Sequence, residues 1–368
     1  MKGNRAYLDH NATTPLRVEA RAAMLAALDV VGNPSSVHAE GRAAKGVVET
    51  ARAQVAALVG CTRQQVIFTS SATEAAALAV AQKARHGGVF AALPTEHDCL
   101  RVWGQGATPS AYDRGGRYDP DAVQGAEFLS ISGANSETGI MLPGGVIAAR
   151  AAGGGAVVAD ITQMAGKVPL RFESDLRPAY AILSAHKLGG PKGVGALINY
   201  TGDDPAPLLR GGGQEMNRRS GTENIVGIAG FGAAAEAAAR DLAAGAWDRI
   251  AELRNILEAA LEAAAPETIF VGKGVARLPN TSCVIAPGWK GETQVMQLDL
   301  AGFAVSAGSA CSSGKVQASR VLRAMGFDEN EASCAMRVSL GLETTREEVL
   351  AFAETWTEKR AKHAARAA

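Results

Sequence analysis

At 368 residues, with 47% hydrophobic and 20% charged side chains, the sequence is that of a globular protein longer than one hydrophobic core usually serves, so two domains are expected. Lys plus Arg and Asp plus Glu total 37 each, which excludes the broad basic surface that direct nucleic-acid binding requires but leaves a local basic pocket open. No apolar run reaches the roughly 18 residues of a membrane span, and Met1 to His10 lacks the apolar stretch of a secretory signal, so a cytoplasmic protein without membrane contact is expected.

In chain order, short apolar runs alternate with Ala-rich stretches of helical period. Strands are predicted at Val66–Phe68, Val89–Ala92, Phe128–Ile131, Val157–Ala159, Ile182–Ser184 and Ala196–Ile198, and helices at Arg42–Leu58, Thr73–Ala84, Ile225–Leu242 and Trp247–Ala264. That alternation predicts an α/β fold with a mostly parallel sheet covered by helices on both faces. After about residue 265 the pattern changes to short strands, Ile269–Val271, Cys283–Ile285, Ala304–Ser306 and Arg337–Ser339, among two or three helices, as in a smaller α+β unit; a charged terminal helix is expected over Arg346–Ala368. The division expected is a large domain over 15–245 and a smaller one built from 1–14 and 246–368.

The cysteines, Cys61, Cys99, Cys283, Cys311 and Cys334, are odd in number, widely spaced and free of any CxxC pair, which argues against a disulfide framework or a zinc knuckle. Cys61, Cys283 and Cys334 read as small buried hydrophobes. Cys99, two residues from His97, is open to either reading. The stretch from Gly308 to Val316 superficially resembles a phosphate loop, but five residues separate its glycines and Val316 replaces the hydroxyl residue that would bind magnesium. The glycine triplets at 153–155 and 211–213 lack the spacing of a dinucleotide fingerprint and read as turns.

Two strand ends carry the chemistry. Asp160 closes the run Val157-Val-Ala159, and Lys187 follows Ile182-Leu-Ser184 as Ser184-Ala-His-Lys187 before a Gly-Gly-Pro turn. Open α/β sheets bind ligands at the carboxyl ends of their strands. An aspartate and a lysine converging there suit pyridoxal phosphate: the carboxylate keeps the pyridine nitrogen protonated, and the amine holds the aldehyde. Phe68-Thr-Ser-Ser-Ala-Thr-Glu74 runs from a strand straight into a helix, where free N–H groups and the hydroxyls of Ser71 and Thr73 would hold a phosphate; alone, it is equally an ordinary helix cap.

With these segments in hand, the chain resembles the NifS/IscS-type cysteine desulfurases, class V enzymes of the fold-type I pyridoxal-phosphate group. The resemblance rests on an ordered set of motifs: Tyr7 to Pro15, Asn33 to His38, Phe68 to Glu74, Glu96-His97, Asp160 to Gln163, Ser184 to Lys187, Gly211 to Glu215, Arg219 to Thr222, and Ser309-Ala-Cys-Ser312. It implies a large, mostly parallel sheet domain with a smaller C-terminal α+β domain. It also implies Lys187 as the Schiff-base lysine, Asp160 at the pyridine nitrogen, Gln163 and Ser136 near the phenolic oxygen, and His97 stacked on the ring as a proton relay. Ala72, Thr73, Ser184 and His186 match the phosphate cradle, and Thr222 matches a residue reaching the phosphate of the other subunit of a homodimer. Arg337, with Asn33 as a second candidate, matches the grip on the substrate carboxylate, for which guanidinium geometry is suited. Cys311 matches the cysteine that carries sulfur as a persulfide and could transiently meet an iron–sulfur cluster; no other metal is implied.

Where the family usually has a second asparagine, this chain has Ser136 in Asn135-Ser-Glu-Thr-Gly139, a shorter side chain that still donates one hydrogen bond. The activity implied is conversion of L-cysteine to L-alanine with sulfur passed to Cys311, and from there to a sulfur-acceptor or scaffold protein for iron–sulfur cluster assembly or other delivery. The other readings are an aminotransferase or selenocysteine lyase that does not use Cys311, and a non-catalytic sulfur-binding partner.

Overall fold

The computed structural model describes residues 5–105, 110–170, 172, 177–308 and 318–367. Its strands are β1 (Ala6–Tyr7), β2 (Val66–Thr69), β3 (Ala91–Ala92), β4 (Phe128–Ser132), β5 (Ala156–Asp160), β6 (Tyr180–Ser184), β7 (Gly195–Asn199), β8 (Ile269–Phe270), β9 (Thr281–Ile285), β10 (Phe303–Ala304) and β11 (Ala335–Ser339). Strands β2 to β7 form one six-stranded sheet in the order β2-β7-β6-β5-β4-β3. Within it β3, β4, β5 and β6 run parallel, while β7 is antiparallel to both β6 and β2.

Successive side chains of a strand point to opposite faces, and here both faces are apolar. Val66, Phe68, Val157, Ala159, Ala181 and Leu183 join one core, beneath helices Ala39–Val59 and Ile225–Ala243. Ile67, Val158, Tyr180, Ile182 and Leu197 join another, beneath helix Ala72–Val80. The predicted α/β layering is therefore observed. β3 is shorter than expected: Val89 is exposed, and only Ala91 and Ala92 pair with β4, at the sheet edge. Helix Val18–Leu28 escaped the sequence reading because Val18, Leu25 and Leu28 lie exposed, so no apolar stripe marks a buried face.

Beyond residue 245, helices Ala246–Ala264 and Arg346–Ala367 enclose a core centred on Trp289 and Trp356, whose ring centroids are 5.8 Å apart. β9 pairs antiparallel with β8 and β11. β1 pairs parallel with β10, and Asp9 bridges to Ser339. Residues 8–14 thus run from the end of β11 to the end of β6, where Thr14 N–H donates to His186 O.

Candidate active site

Parallel strands β4 and β5 end in register, Ser132 opposite Asp160, and neighbouring β6 runs two residues further, with Ile182 opposite Asp160. Past those ends lies a cavity of about 390 Å³, in the range that holds a small ligand or cofactor. Ala72, Thr73, His97, Ser136, Asp160, Gln163, Ser184, His186, Lys187 and Arg337 all line it. Ten residues from six segments of the sequence therefore share one wall. A larger cleft of about 810 Å³ lies on another side of Lys187, but of the expected residues it contains Lys187 alone.

Helix Ala72–Val80 opens on the cavity. Ser71 caps it by accepting the Glu74 N–H, so the N–H groups of Ala72 and Thr73 remain for an anion. Gly195 on β7 makes this approach possible: a Cβ there would stand 2.5 Å from Ser71 C and 2.7 Å from Ala72 N. Two ion pairs brace the cradle from below. Arg219 holds Glu74 (2.8 Å), and buried Arg52 grips Glu215 with two bonds (2.7 and 2.8 Å) while Glu215 accepts the Phe68 N–H. The motif Gly211 to Glu215 thus supports the strand that leads into the cradle. His186 Nδ1 is 3.1 Å from Thr13 Oγ1, and burial, with Lys187 and Lys192 adding, pushes this ring down to about 4, so it is neutral at pH 7.

Lys187 Nζ donates to the carbonyls of Asn11 and Ala12, both at 2.7 Å. Gln163 Nε2 donates to the same Asn11 carbonyl, and Thr162 N–H donates to Asp160 Oδ1. Arg337, 5% exposed, gives Nη2 to Asp9 Oδ1 (2.7 Å) and Nη1 to Ser136 O (3.0 Å). Its Nε is buried with no hydrogen-bond partner among the described residues, a donor held ready beside the cavity. His97 caps helix Asp98–Arg101, Nδ1 accepting the Cys99 N–H; in the neutral ring the proton then sits on Nε2. Cys99 also lines the cavity, but burial pushes its thiol up, away from thiolate chemistry.

Sequence reasoning missed several participants. Glu96, fully enclosed, accepts from Ser132 N and Oγ, and burial, with the Asp160 charge adding, pushes it up to about 7. Asp9 and Asn11 belong to the Tyr7–Pro15 motif, a signal that was visible without being assigned a task. Ser319 Oγ donates to Glu137 Oε2, and Arg320 Nη1 pairs with Asp98 at 2.9 Å. Before that, Ser306 bridges Arg337 and donates to Asp9 Oδ2. Cys311 lies outside the described residues, between these anchored flanks. Two expected residues are not brought to the cavity. Asn33 is exposed, its Oδ1 accepting the Ser35 N–H in a turn, so a carboxylate grip from it within this chain is not supported. Thr222 is exposed and outside this cavity, on the segment tied down by Arg219.

Comparison with known proteins bears on this geometry. The sequence profile of the aminotransferase class-V family matches residues 6–352. The chain belongs to the class-V aminotransferase family. A cysteine desulfurase from Cereibacter sphaeroides is 39% identical over 366 residues, covering 94% of this chain and 93% of that protein. Among solved structures, a NifS-like protein from Rickettsia africae superposes with a TM-score of 0.87 at 30% identity, covering 98% of this chain and all of that one. A protein titled SspA in complex with cysteine gives 0.76 at 25% identity, covering 92% and 100%. The resemblance to NifS-type desulfurases is borne out. Class-V enzymes of this kind depend on pyridoxal phosphate, and the donor set suits it: a helix start with unclaimed N–H groups, a carboxylate at a strand end, and an amine on the next strand.

Proposed function

We propose that the protein is a cysteine desulfurase in which L-cysteine gives up its sulfur to Cys311 and leaves as L-alanine. The observation that carries this reading is the convergence of Lys187, Asp160, His97 and Arg337 on one cavity at the carboxyl ends of β4, β5 and β6. Ala72, Thr73, Ser184 and His186 would hold the phosphate of pyridoxal phosphate, Asp160 its pyridine nitrogen, Gln163 and Ser136 its phenolic side, and Lys187 its aldehyde. When bound, the cofactor supplies an electron sink for charge developing at the substrate Cα. Arg337 offers its unclaimed Nε to the substrate carboxylate, and Lys187 takes the Cα proton. The Cys311 thiolate then attacks the substrate sulfur: an S–S bond forms as the C–S bond breaks, the C–S electron pair stays with Cβ, and a proton added there gives alanine. Arg337 and Asp9 hold Ser306, and Glu137 and Asp98 hold Ser319 and Arg320, so the described residues on either side of the Cys311 segment in sequence are anchored to side chains at the cavity. That a structural relative, SspA, is found in complex with cysteine supports the substrate.

The same reading makes the protein a cytoplasmic homodimer, with residues 15–245 as the cofactor domain and 1–14 with 246–368 as the smaller one. Val18, Leu25, Leu28, Val31 and Val37 are large apolar side chains left exposed, which a second copy would cover, and Thr222 stands clear of its own cavity. A sulfur-acceptor or scaffold protein would receive the persulfide, for iron–sulfur cluster assembly or other delivery. The test is production of alanine and sulfide from L-cysteine by wild type, Lys187→Ala and Cys311→Ala in parallel. Both variants are expected to lose activity; undiminished sulfide release by Cys311→Ala without added reductant would refute the persulfide step.

A further inference from the structure

Lys167 stands four residues after Gln163 in the turn that follows β5, and nothing in the reaction above uses it. It is 3% exposed, yet its Nζ is well placed: it donates to Gln163 Oε1 at 2.8 Å and to Asn11 Oδ1 at 3.4 Å. Charged or neutral, a lysine amine keeps at least two N–H donors, and here both groups facing Nζ present oxygen to it. The side-chain amide of Gln163 is therefore held one way round, as is that of Asn11, whose Oδ1 also accepts Asn280 Nδ2 at 3.1 Å. Gln163 Nε2 is left to donate to Asn11 O, the carbonyl that also receives Lys187 Nζ. Asn11 Nδ2 is left to donate to Ser136 O, the carbonyl that also receives Arg337 Nη1, and to Thr281 Oγ1. Each contact of Lys167 thus ends, one amide later, on the acceptor of a residue assigned to the reaction.

We propose that Lys167 is a positioning residue: by claiming the oxygens of Gln163 and Asn11 it turns their N–H ends toward the carbonyls that receive Lys187 and Arg337, and so sets where the amine and the guanidinium stand. This rests on the reading of the cavity as a pyridoxal-phosphate site. Gln163 gains a fixed polarity from it, with the N–H side rather than the oxygen turned to the cavity. A second effect has the same sign. Lys167 is packed near two cations, Lys187 beyond β6 and Arg337 on β11, and near His10 on the N-terminal segment, whose ring burial and Lys167 push down to about 4 and so keep neutral at pH 7, with Asp9 as the anion behind His10 and Arg337. Burial, with Lys187 and Arg337 adding, pulls Lys167 down to about 7.

The test uses the holoenzyme and the pH at which its bound pyridoxal-phosphate absorbance changes. Lys167→Met removes the donor, and the charge that Lys167 carries below about pH 7, at similar volume; both losses favour the protonated form of the Lys187 linkage, so the midpoint should rise by about one pH unit. Lys167→Arg, which keeps donors and charge, should stay near wild type. A merely structural lysine would lower the unfolding midpoint and leave the absorbance midpoint in place. An unchanged midpoint in Lys167→Met, or an equal rise in Lys167→Arg, overturns the proposal. If Lys167→Met does not fold, Lys167→Gln, which can offer either amide end, should show a rise, and none would overturn the role. Lys187→Ala separates the two levels: absorbance alike in wild type and Lys187→Ala defeats the cavity reading and this proposal together, whereas wild-type behaviour confined to the Lys167 variants defeats this proposal alone.

Discussion

Replacing Arg337 by glutamine removes the cation that faces the cavity while leaving the chain around it nearly the same size. In the native arrangement Nη2 and Nη1 are committed to Asp9 Oδ1 and Ser136 O, and only Nε is buried without a partner among the described residues. A substrate carboxylate would therefore gain one new charge-assisted hydrogen bond from Nε, worth about 1.5–3 kcal/mol, which converts to roughly 10- to 150-fold in affinity. The KM for L-cysteine should rise by that factor in Arg337→Gln, with kcat falling less. Arg337→Lys should not recover it, because an ammonium that stays on Asp9 has no equivalent of Nε to spare. Steady-state kinetics supply the measurement, and an urea midpoint checks that the loss of the Asp9 pair, which is only partly exposed at 6% and 16%, has not unfolded the protein. A folded Arg337→Gln variant whose KM is unchanged would refute the assignment of this residue to the substrate carboxylate.

Glu215→Gln should cost about 3–5 kcal/mol in urea unfolding, because it leaves the Arg52 guanidinium, 3% exposed, without its counter-charge. A change below about 1 kcal/mol would mean the pair is not structural. Gly195→Ala should weaken pyridoxal-phosphate binding by about tenfold or more in equilibrium dialysis, since its methyl would displace the Ser71–Ala72 backbone that forms the phosphate cradle. Stability should also depend on Lys167. With its native value pulled down to about 7 from 10.5, the unfolded chain binds a proton that the native one does not, so stability rises with pH above 7. The rise should be visible up to about pH 8.5, before the thiols of Cys61 and Cys283, pushed up to about 12 by burial, begin to oppose it. Urea midpoints of wild type and Lys167→Met with the same slope over that window would refute it.

Much of this protein is legible in its sequence because the physics involved is local. Unbroken apolar runs at Val66–Phe68 and Val157–Ala159 mark strands with two buried faces; Asp160, just past the second run, and Lys187, three residues past Ser184, stand at the carboxyl ends of their strands. The Ser71 cap, likewise, follows from a hydroxyl placed before an Ala-rich helix. What the tertiary structure alone decided are contacts between distant segments, which no local pattern encodes. Asp9 meets Arg337 across 328 residues, and Arg52 meets Glu215 across 163. Asn33 sits in a motif as plain as that of Asn11, yet only Asn11 reaches the cavity, because residues 8–14 are drawn between β11 and β6 by backbone hydrogen bonds. Lys167 is one of many lysines until folding surrounds it with two amide oxygens and two cations. A side chain's type and spacing declare what it can do; which partner it has, and hence which end of an amide or which nitrogen of a guanidinium is left over, is settled only by packing.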